Sequence, residues 1–371
     1  MSIKTKPAIV YCENNFSKMD GKTANGLVRC SQIYRIVSVI DSHMAGMDTG
    51  QVLDGKNNGI PIHANLDQAL NEQIEAPQYF IYGMAPLSGF LAEHERHIIF
   101  QAMEYGMDII IGLHEFLTDD ESFVAKAKEC NVNIVDIRKP KEKKDLTVFT
   151  GKIFDVKCPK IAILGTDSAI GKRTTATVLT QALNEAGIKA VMIATGQTGL
   201  IQGERFGVAL DAIPGQFISG EMEAAVVKAY EIAKPDVIII EGQGAISHPA
   251  YISSCYIVRG SRPDAIILQH VPGRKMLGDY PQLPMPTIES EINLVETFSS
   301  SKVIGITINP ENMTQEEVEH SIEKYESQFS VASTDVLTRG CASLIKKIIS
   351  TFPKLTNVVR DQSIVVSKSA N

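Results

Sequence analysis

Runs of β-branched and aromatic residues recur along the chain, and a longer stretch with apolar positions at helical spacing usually follows each one. In the first half this pattern predicts strands at 8–11, 34–40, 79–82, 108–111 and 133–137, with helices such as 90–105 and 121–129 between them. In the second half it predicts strands at 160–164, 190–194, 237–240, 265–268 and 303–308. Helices are expected there at 172–186, 220–233, 288–298, 314–327 and 341–350. Strands that alternate with helices build mainly parallel sheets covered on both faces. The expected fold class is therefore α/β, with two doubly wound, mainly parallel-sheet domains: Rossmann-like first, P-loop NTPase-like second. The run Arg138-Lys139-Pro140-Lys141-Glu142-Lys143-Lys144-Asp145 mixes both signs of charge with a proline, as solvated connectors do, and sets the domains at 1–145 and 146–371. The polar tail at 358–371 reads as partly disordered.

Length supports two domains, since one hydrophobic core stops growing near roughly 250–300 residues and this chain has 371. An apolar fraction of 44% and a charged fraction of 21% are ordinary for globular proteins, and no stretch reaches the roughly 18 apolar residues of a membrane span. The opening residues show no leader-like apolar run, and the six cysteines are scattered without close pairs, so a cytoplasmic setting without disulfides or bound metal is expected. A net charge of −7 with no basic stripe points away from nucleic acid. The expected partner is a small molecule, with neither nucleic acid nor membrane involved, and a homo-oligomer is anticipated.

The most informative segment joins a buried strand to a helix: Gly165, Thr166, Asp167, Ser168, Ala169, Ile170, Gly171, Lys172, Arg173, Thr174 and Thr175. Glycines let backbone N–H groups close on phosphate oxygens, the helix N-terminus adds its positive dipole end, and Lys172 adds a point charge. Two departures from the common P-loop matter. Five residues separate Gly165 from Gly171, a spacing that resembles the dethiobiotin synthetase type of loop. Arg173 stands where a Ser or Thr normally holds Mg²⁺, which favours phosphate binding over metal-assisted phosphoryl transfer.

Ligands of open α/β sheets sit beyond the carboxyl ends of the strands, so the segments after each strand are expected neighbours of this loop. They are Thr195-Gly196-Gln197-Thr198-Gly199, the stretch from Glu241 to His248, and Gln269-His270-Val271-Pro272-Gly273-Arg274. Glu241 follows four apolar residues and can orient a metal, act as a base, or cap a glycine turn. His248 suits proton transfer by its intrinsic pKa, with a purely structural role as the alternative. In the first half, Asp41 and Ser42 end the second strand, and His114 and Glu115 follow a later one; turn-capping also accounts for Asp41 and Ser42. No G-x-G-x-x-G follows the first strand, where Cys12-Glu13-Asn14-Asn15 stands instead, so a nicotinamide cofactor is disfavoured.

Thr23-Ala24-Asn25-Gly26-Leu27-Val28-Arg29, Val39-Ile40-Asp41-Ser42 with Ala45-Gly46, the phosphate loop, Thr195 to Gly199, Ile240-Glu241-Gly242-Gln243-Gly244 with His248-Pro249, and His270 to Arg274 together resemble the D-glutamate N-acetyltransferase-like family over nearly the whole chain. The resemblance implies a Rossmann-like and a P-loop domain, acetyl transfer from acetyl-CoA as co-substrate to the amine of an acidic amino acid such as D-glutamate, and a place in D-amino acid catabolism. The expected cofactor-binding residues are 165–175 with Gln197 and Thr198. Glu241, His248, Ser42 and Asp41 are the catalytic candidates, with proton acceptance assigned to Glu241 or His248 and oxyanion donation to backbone amides or Ser42. Arg205, His270 and Arg274 are the substrate-binding candidates, the two arginines for carboxylates. The competing reading is an ATP- and Mg²⁺-dependent ligase or kinase similar to dethiobiotin synthetase, which loop length and Glu241 favour and Arg173 opposes. A nucleotide-binding module without catalysis is the third.

Overall fold

A computed structural model describes residues 6–72, 75–86 and 88–356; the tail expectation at 358–371 lies outside them. The chain divides into two compact units, one of residues up to Lys141 with Gly196–Arg205, the other of Glu142–Thr195 with the residues from Phe206 onward.

The N-terminal unit holds one six-stranded sheet. Its elements are β1 (Lys6–Tyr11), α1 (Lys22–Arg29), β2 (Tyr34–Ile40), α2 (Thr49–Asp54), β3 (Ile62–His63), α3 (Leu66–Asn71), β4 (Tyr79–Tyr82), α4 (Glu93–Glu104), β5 (Asp108–Ile111), α5 (Glu121–Cys130) and β6 (Ile134–Asp136). The order β3-β2-β1-β4-β5-β6, with every pairing parallel, is the doubly wound arrangement that the alternation predicts. Val10, Ile81 and Ile110 come from three of its four inner strands and are almost fully shielded from water, which is why these strands read as near-continuous apolar runs.

The C-terminal unit follows with β7 (Lys160–Gly165), α6 (Lys172–Glu185) and β8 (Ala190–Ala194). The chain then passes through α7 (Gln197–Gln202), which clusters with the N-terminal unit, and returns for β9 (Phe206–Gly207). The remainder is α8 (Gly215–Ala233), β10 (Val237–Glu241), α9 (Ser253–Ser261), β11 (Ala265–His270), α10 (Ile288–Ser299), β12 (Lys302–Ile308), α11 (Gln315–Phe329), β13 (Ala332–Thr334) and α12 (Ala342–Thr351). Its seven strands are parallel in the order β13-β12-β11-β7-β10-β8-β9. The chain crosses from β10 to β11 over β7, so the point where winding reverses lies beside β7, and the phosphate loop leaves from its end. The longest helix of this unit, α8, packs on the backbone of Thr147 and Val148 through Gly220, where any Cβ would collide. Its Glu221 and Glu223 then receive the amides of Thr147, Thr150 and Ile153 at 2.6–3.1 Å. Among the described residues no helix is long and apolar enough to cross a membrane.

The charge run differs from expectation at its first residue. Lys141 to Asp145 are exposed, but Arg138 is buried in the N-terminal unit, where it donates to the Gly112 carbonyl and, at 2.8 Å, to Gln197 Oε1. A guanidinium satisfied in this way can leave water at modest penalty, which composition alone does not reveal.

Candidate functional site

Gly165 closes β7, where a Cβ would lie 2.9 Å from the Gln269 carbonyl oxygen. The chain then turns through Ala169 in the left-handed region (φ 49°) and Gly171 (φ 105°), and α6 begins at Lys172. Only a residue without a Cβ takes the Gly171 conformation at low strain. Thr166, Asp167, Lys172 and Thr175 are buried, and the Lys172 ammonium curls back to the Asp167 carbonyl oxygen instead of reaching into bulk water. A loop with this backbone, this helix start and this lysine has the features that can hold an anion.

Asp167 organises one wall. Its carboxylate accepts the Ser168 amide at 2.7 Å, the Gly278 amide at 2.9 Å and Arg274 Nη1 at 2.8 Å. Arg274 in turn grips Glu311 through Nε (3.0 Å) and Nη2 (2.6 Å). The arginine expected to hold a substrate carboxylate is thus placed between two carboxylates of the protein itself. A short hairpin, closed by the Leu277 amide on the Leu283 carbonyl and the Met285 amide on the Lys275 carbonyl, sets Asp279 over the loop. Asp279 there accepts Ser168 Oγ at 2.7 Å and Tyr251 Oη at 2.9 Å.

Gln269 and His270, expected just beyond their strand, are its last two residues. Gln269 Oε1 accepts the Thr175 and Thr307 hydroxyls at 2.5 and 2.6 Å, which commits the Thr175 proton, and His270 Nδ1 meets Thr166 Oγ1 at 2.9 Å. Burial, with Lys324 adding to it, lowers the His270 pKa from 6.5 to about 4. A histidine whose folded pKa is depressed stabilises the fold fully above pH 6.5 and loses that contribution as pH falls toward 4. The loss reaches about 3 kcal/mol at most. Urea unfolding of the wild type and of His270→Gln at pH 7 and pH 4 should show the difference between them shifting by about that amount; a pH-independent difference contradicts the burial argument.

Glu241 ends β10 level with Ile163 of β7, and its Oε2 accepts the Thr195 amide at 2.9 Å. His248 lies one loop further, buried, stacked on Tyr251 with ring centroids 4.5 Å apart and in T-shaped contact with Tyr280 at 5.7 Å. Its Nε2 is 3.6 Å from Asp167 Oδ1. Burial holds its pKa below the ordinary value; Asp167 and Asp279 oppose that effect and Lys172 adds to it. The loop carrying His248 is pinned by Glu291, buried on α10, which accepts the Ile246 amide at 2.7 Å and Ser247 Oγ at 2.6 Å.

The structure therefore brings together, in the C-terminal unit, the phosphate loop, His248, His270 and Arg274, with Glu241 ending the neighbouring strand. Gln197, Thr198 and Arg205 belong to the N-terminal unit. Thr198 there shares a 2.8 Å hydroxyl contact with Thr23 of α1, Gln202 Nε2 donates to the Gly26 and Cys30 carbonyls, and Arg205 is exposed just before β9. Asp41, also in the N-terminal unit, is buried and caps the amides of Asn14, Phe16 and His43, while Ser42 is exposed with its hydroxyl on Glu13. Glu13, Asp41 and His43 offer ligand atoms within 4.8 Å of one another, but the carboxylates are already engaged by these donors. Glu115 accepts the Leu91 amide and pairs with Arg96 at 2.5 Å. Sequence reasoning missed Asp279, Tyr251, Glu291 and Glu311, none of which lies inside a segment that strand position had singled out.

A doubly wound sheet without a glycine fingerprint, together with a second parallel sheet whose switch-point strand runs into a glycine- and lysine-bearing loop and a helix, defines a two-domain α/β protein of Rossmann-like plus P-loop type. Residues 42–140 match the family described as "Domain of unknown function (DUF1611_N) Rossmann-like domain", and residues 147–345 match "Domain of unknown function (DUF1611_C) P-loop domain". The chain belongs to this DUF1611 family. A D-glutamate N-acetyltransferase from Pseudoalteromonas sp is 34% identical over 277 residues, covering 72% of this chain and 80% of that protein. A second protein of the same name, from Tritonibacter scottomollicae, is 28% identical over 277 residues, covering 71% and 79%. The crystal structure of a DUF1611 family protein from Anabaena variabilis superposes with a TM-score of 0.85 at 29% identity, covering 93% of this chain and all of that one.

Proposed function

We propose that this protein is an N-acetyltransferase that uses acetyl-CoA and accepts the amine of an acidic amino acid of the D-glutamate kind, with the phosphate loop gripping the phosphates of coenzyme A. The observation that carries this reading is the chemistry of the loop: backbone amides, Lys172 and Arg173 offer positive charge, Arg173 stands at the position of the Mg²⁺-holding hydroxyl, and the nearby Thr175 hydroxyl is bound to Gln269. Such a cradle suits a pyrophosphate that is held and not cleaved. The names of the two curated relatives support the acetyl-transfer half of the reading.

Acetyl-CoA supplies a thioester; the C–N bond forms as the C–S bond breaks, and the substrate ammonium must lose a proton before its nitrogen can attack. Glu241 is assigned to receive that proton, its orientation fixed by the Thr195 amide. A thiol-release assay with acetyl-CoA and a panel of D- and L-amino acids tests the reading. Release is expected with D-glutamate or a close relative and to fall by roughly 100-fold or more in Glu241→Gln, the scale of one general base. Release that is absent for every acceptor, together with Mg²⁺-dependent ATP turnover, would favour the second reading, a ligase or kinase similar to dethiobiotin synthetase. Loop spacing and the strand-end position of Glu241 speak for that alternative.

A further inference from the structure

We propose that His248 is a hydrogen-bond donor to the anion held by the phosphate loop, acting through Nε2, and is not the proton acceptor of the reaction. The inference rests on the coenzyme A reading above and assigns one residue of the same site.

Consider first which ring nitrogen carries the proton. Nδ1 accepts the Ala250 amide at 3.2 Å and the Tyr251 amide at 3.3 Å, so its lone pair is committed, and the neutral ring keeps its hydrogen on Nε2. A ring in this tautomer can give a hydrogen bond from Nε2 but has no lone pair there to take a proton from a substrate. The tautomer disqualifies His248 as a base while making it a donor.

The second observation is that this donor is spent on nothing. The side chain is fully shielded from solvent, and Nε2 has no hydrogen-bond partner among the described residues. Buried N–H groups without partners are rare in folded proteins and call for an explanation. The nearest carboxylate oxygen, Asp167 Oδ1, is 3.6 Å away, beyond hydrogen-bond length, and accepts the Ser168 amide, while Gly278 and Arg274 bind Oδ2. The ring is clamped rather than loose, stacked on Tyr251 at 19° and bordered by Tyr280. Its backbone is fixed by the Glu291 contacts to residues 246 and 247.

Place and polarity supply the third. The orphan nitrogen lies 3.6 Å from Asp167 of the phosphate loop, the loop into which the Lys172 ammonium folds and from which the 14-residue helix α6 starts. An oxyanion in that cradle is the acceptor Nε2–H lacks, and a neutral donor there adds orientation without adding another buried charge.

Two substitutions separate the roles. His248→Phe keeps a ring to stack on Tyr251 and removes the donor; His248→Gln places an amide N–H near the Nε2 position but cannot serve as a base. Titration calorimetry with coenzyme A and with inorganic pyrophosphate is expected to show roughly 10-fold to 100-fold weaker binding of both in His248→Phe. His248→Gln is expected to restore most of that loss and to retain acetyl-CoA-dependent thiol release. Thermal unfolding of each variant checks the fold, and if His248→Phe does not fold the Gln variant carries the test alone. The proposal is overturned if His248→Phe binds both anions like the wild type, or if His248→Gln binds them normally and loses turnover. Wild-type protein that binds neither coenzyme A nor pyrophosphate defeats the underlying reading instead, an outcome distinct from the other two.

Discussion

Replacing Lys172 by Ala is expected to weaken coenzyme A binding by at least roughly 10-fold to 100-fold while leaving the fold intact. The ammonium is buried at the first turn of α6 and directed at the loop's own Asp167 carbonyl, so it is already positioned over the space the loop encloses. A hydrogen bond from a charged donor contributes about 1.5–3 kcal/mol, and here it acts together with the helix N-terminus on the same anion. Folding should hardly suffer, because removing a buried ammonium relieves its desolvation while one hydrogen bond is lost. The check is paired: calorimetry with coenzyme A for affinity, and thermal unfolding for stability. Unchanged affinity in a folded Lys172→Ala variant contradicts the assignment of the loop.

Asp167→Ala should behave in the opposite way, with a large loss of stability. The carboxylate is completely buried and ties together Ser168, Gly278 and Arg274, which come from two segments more than 100 residues apart. Removing one partner of a buried pair usually costs several kcal/mol, but Arg274 keeps its bidentate hold on Glu311, so a loss of about 3 kcal/mol is expected. In a domain of this size that lowers the unfolding midpoint by roughly 6–12 °C. Asp167→Asn should lose nearly as much, because an amide N–H₂ would face donors from Arg274 and Gly278. A loss below about 1 kcal/mol would show that the hairpin and the loop are held by other contacts.

The strands were legible because parallel strands buried on both faces leave continuous apolar runs, as in Ile161 to Leu164 and Val237 to Ile240. The phosphate loop was legible because its glycines, lysine and flanking elements are contiguous. What local pattern could not show is held by distant partners. The Thr195 to Gly199 segment is expected as a neighbour of the phosphate loop, but from Gln197 it forms a helix that joins the N-terminal unit through Thr23–Thr198 and Gln202–Gly26. The helix α9 escaped notice because no side chain caps its N-terminus and Gly260 interrupts it near the end. The strands β9 and β13 have two and three residues, too short for any period to register. Arg274 looked like a free cation because its partners Asp167 and Glu311 lie 107 and 37 residues away. Likewise nothing around Glu291 announces that its carboxylate fixes the loop bearing His248, 45 residues earlier at Ile246.

Acetyl transfer by this protein requires that the loop from Gly165 to Thr175 bind coenzyme A phosphates. Calorimetric titration of acetyl-CoA into the wild-type protein in the presence of a chelator decides this most directly. Saturable one-site binding that survives removal of Mg²⁺, competes with inorganic pyrophosphate and weakens in Lys172→Ala is the expected result. The contradicting result is no heat from acetyl-CoA beside tight, Mg²⁺-dependent binding of ATP.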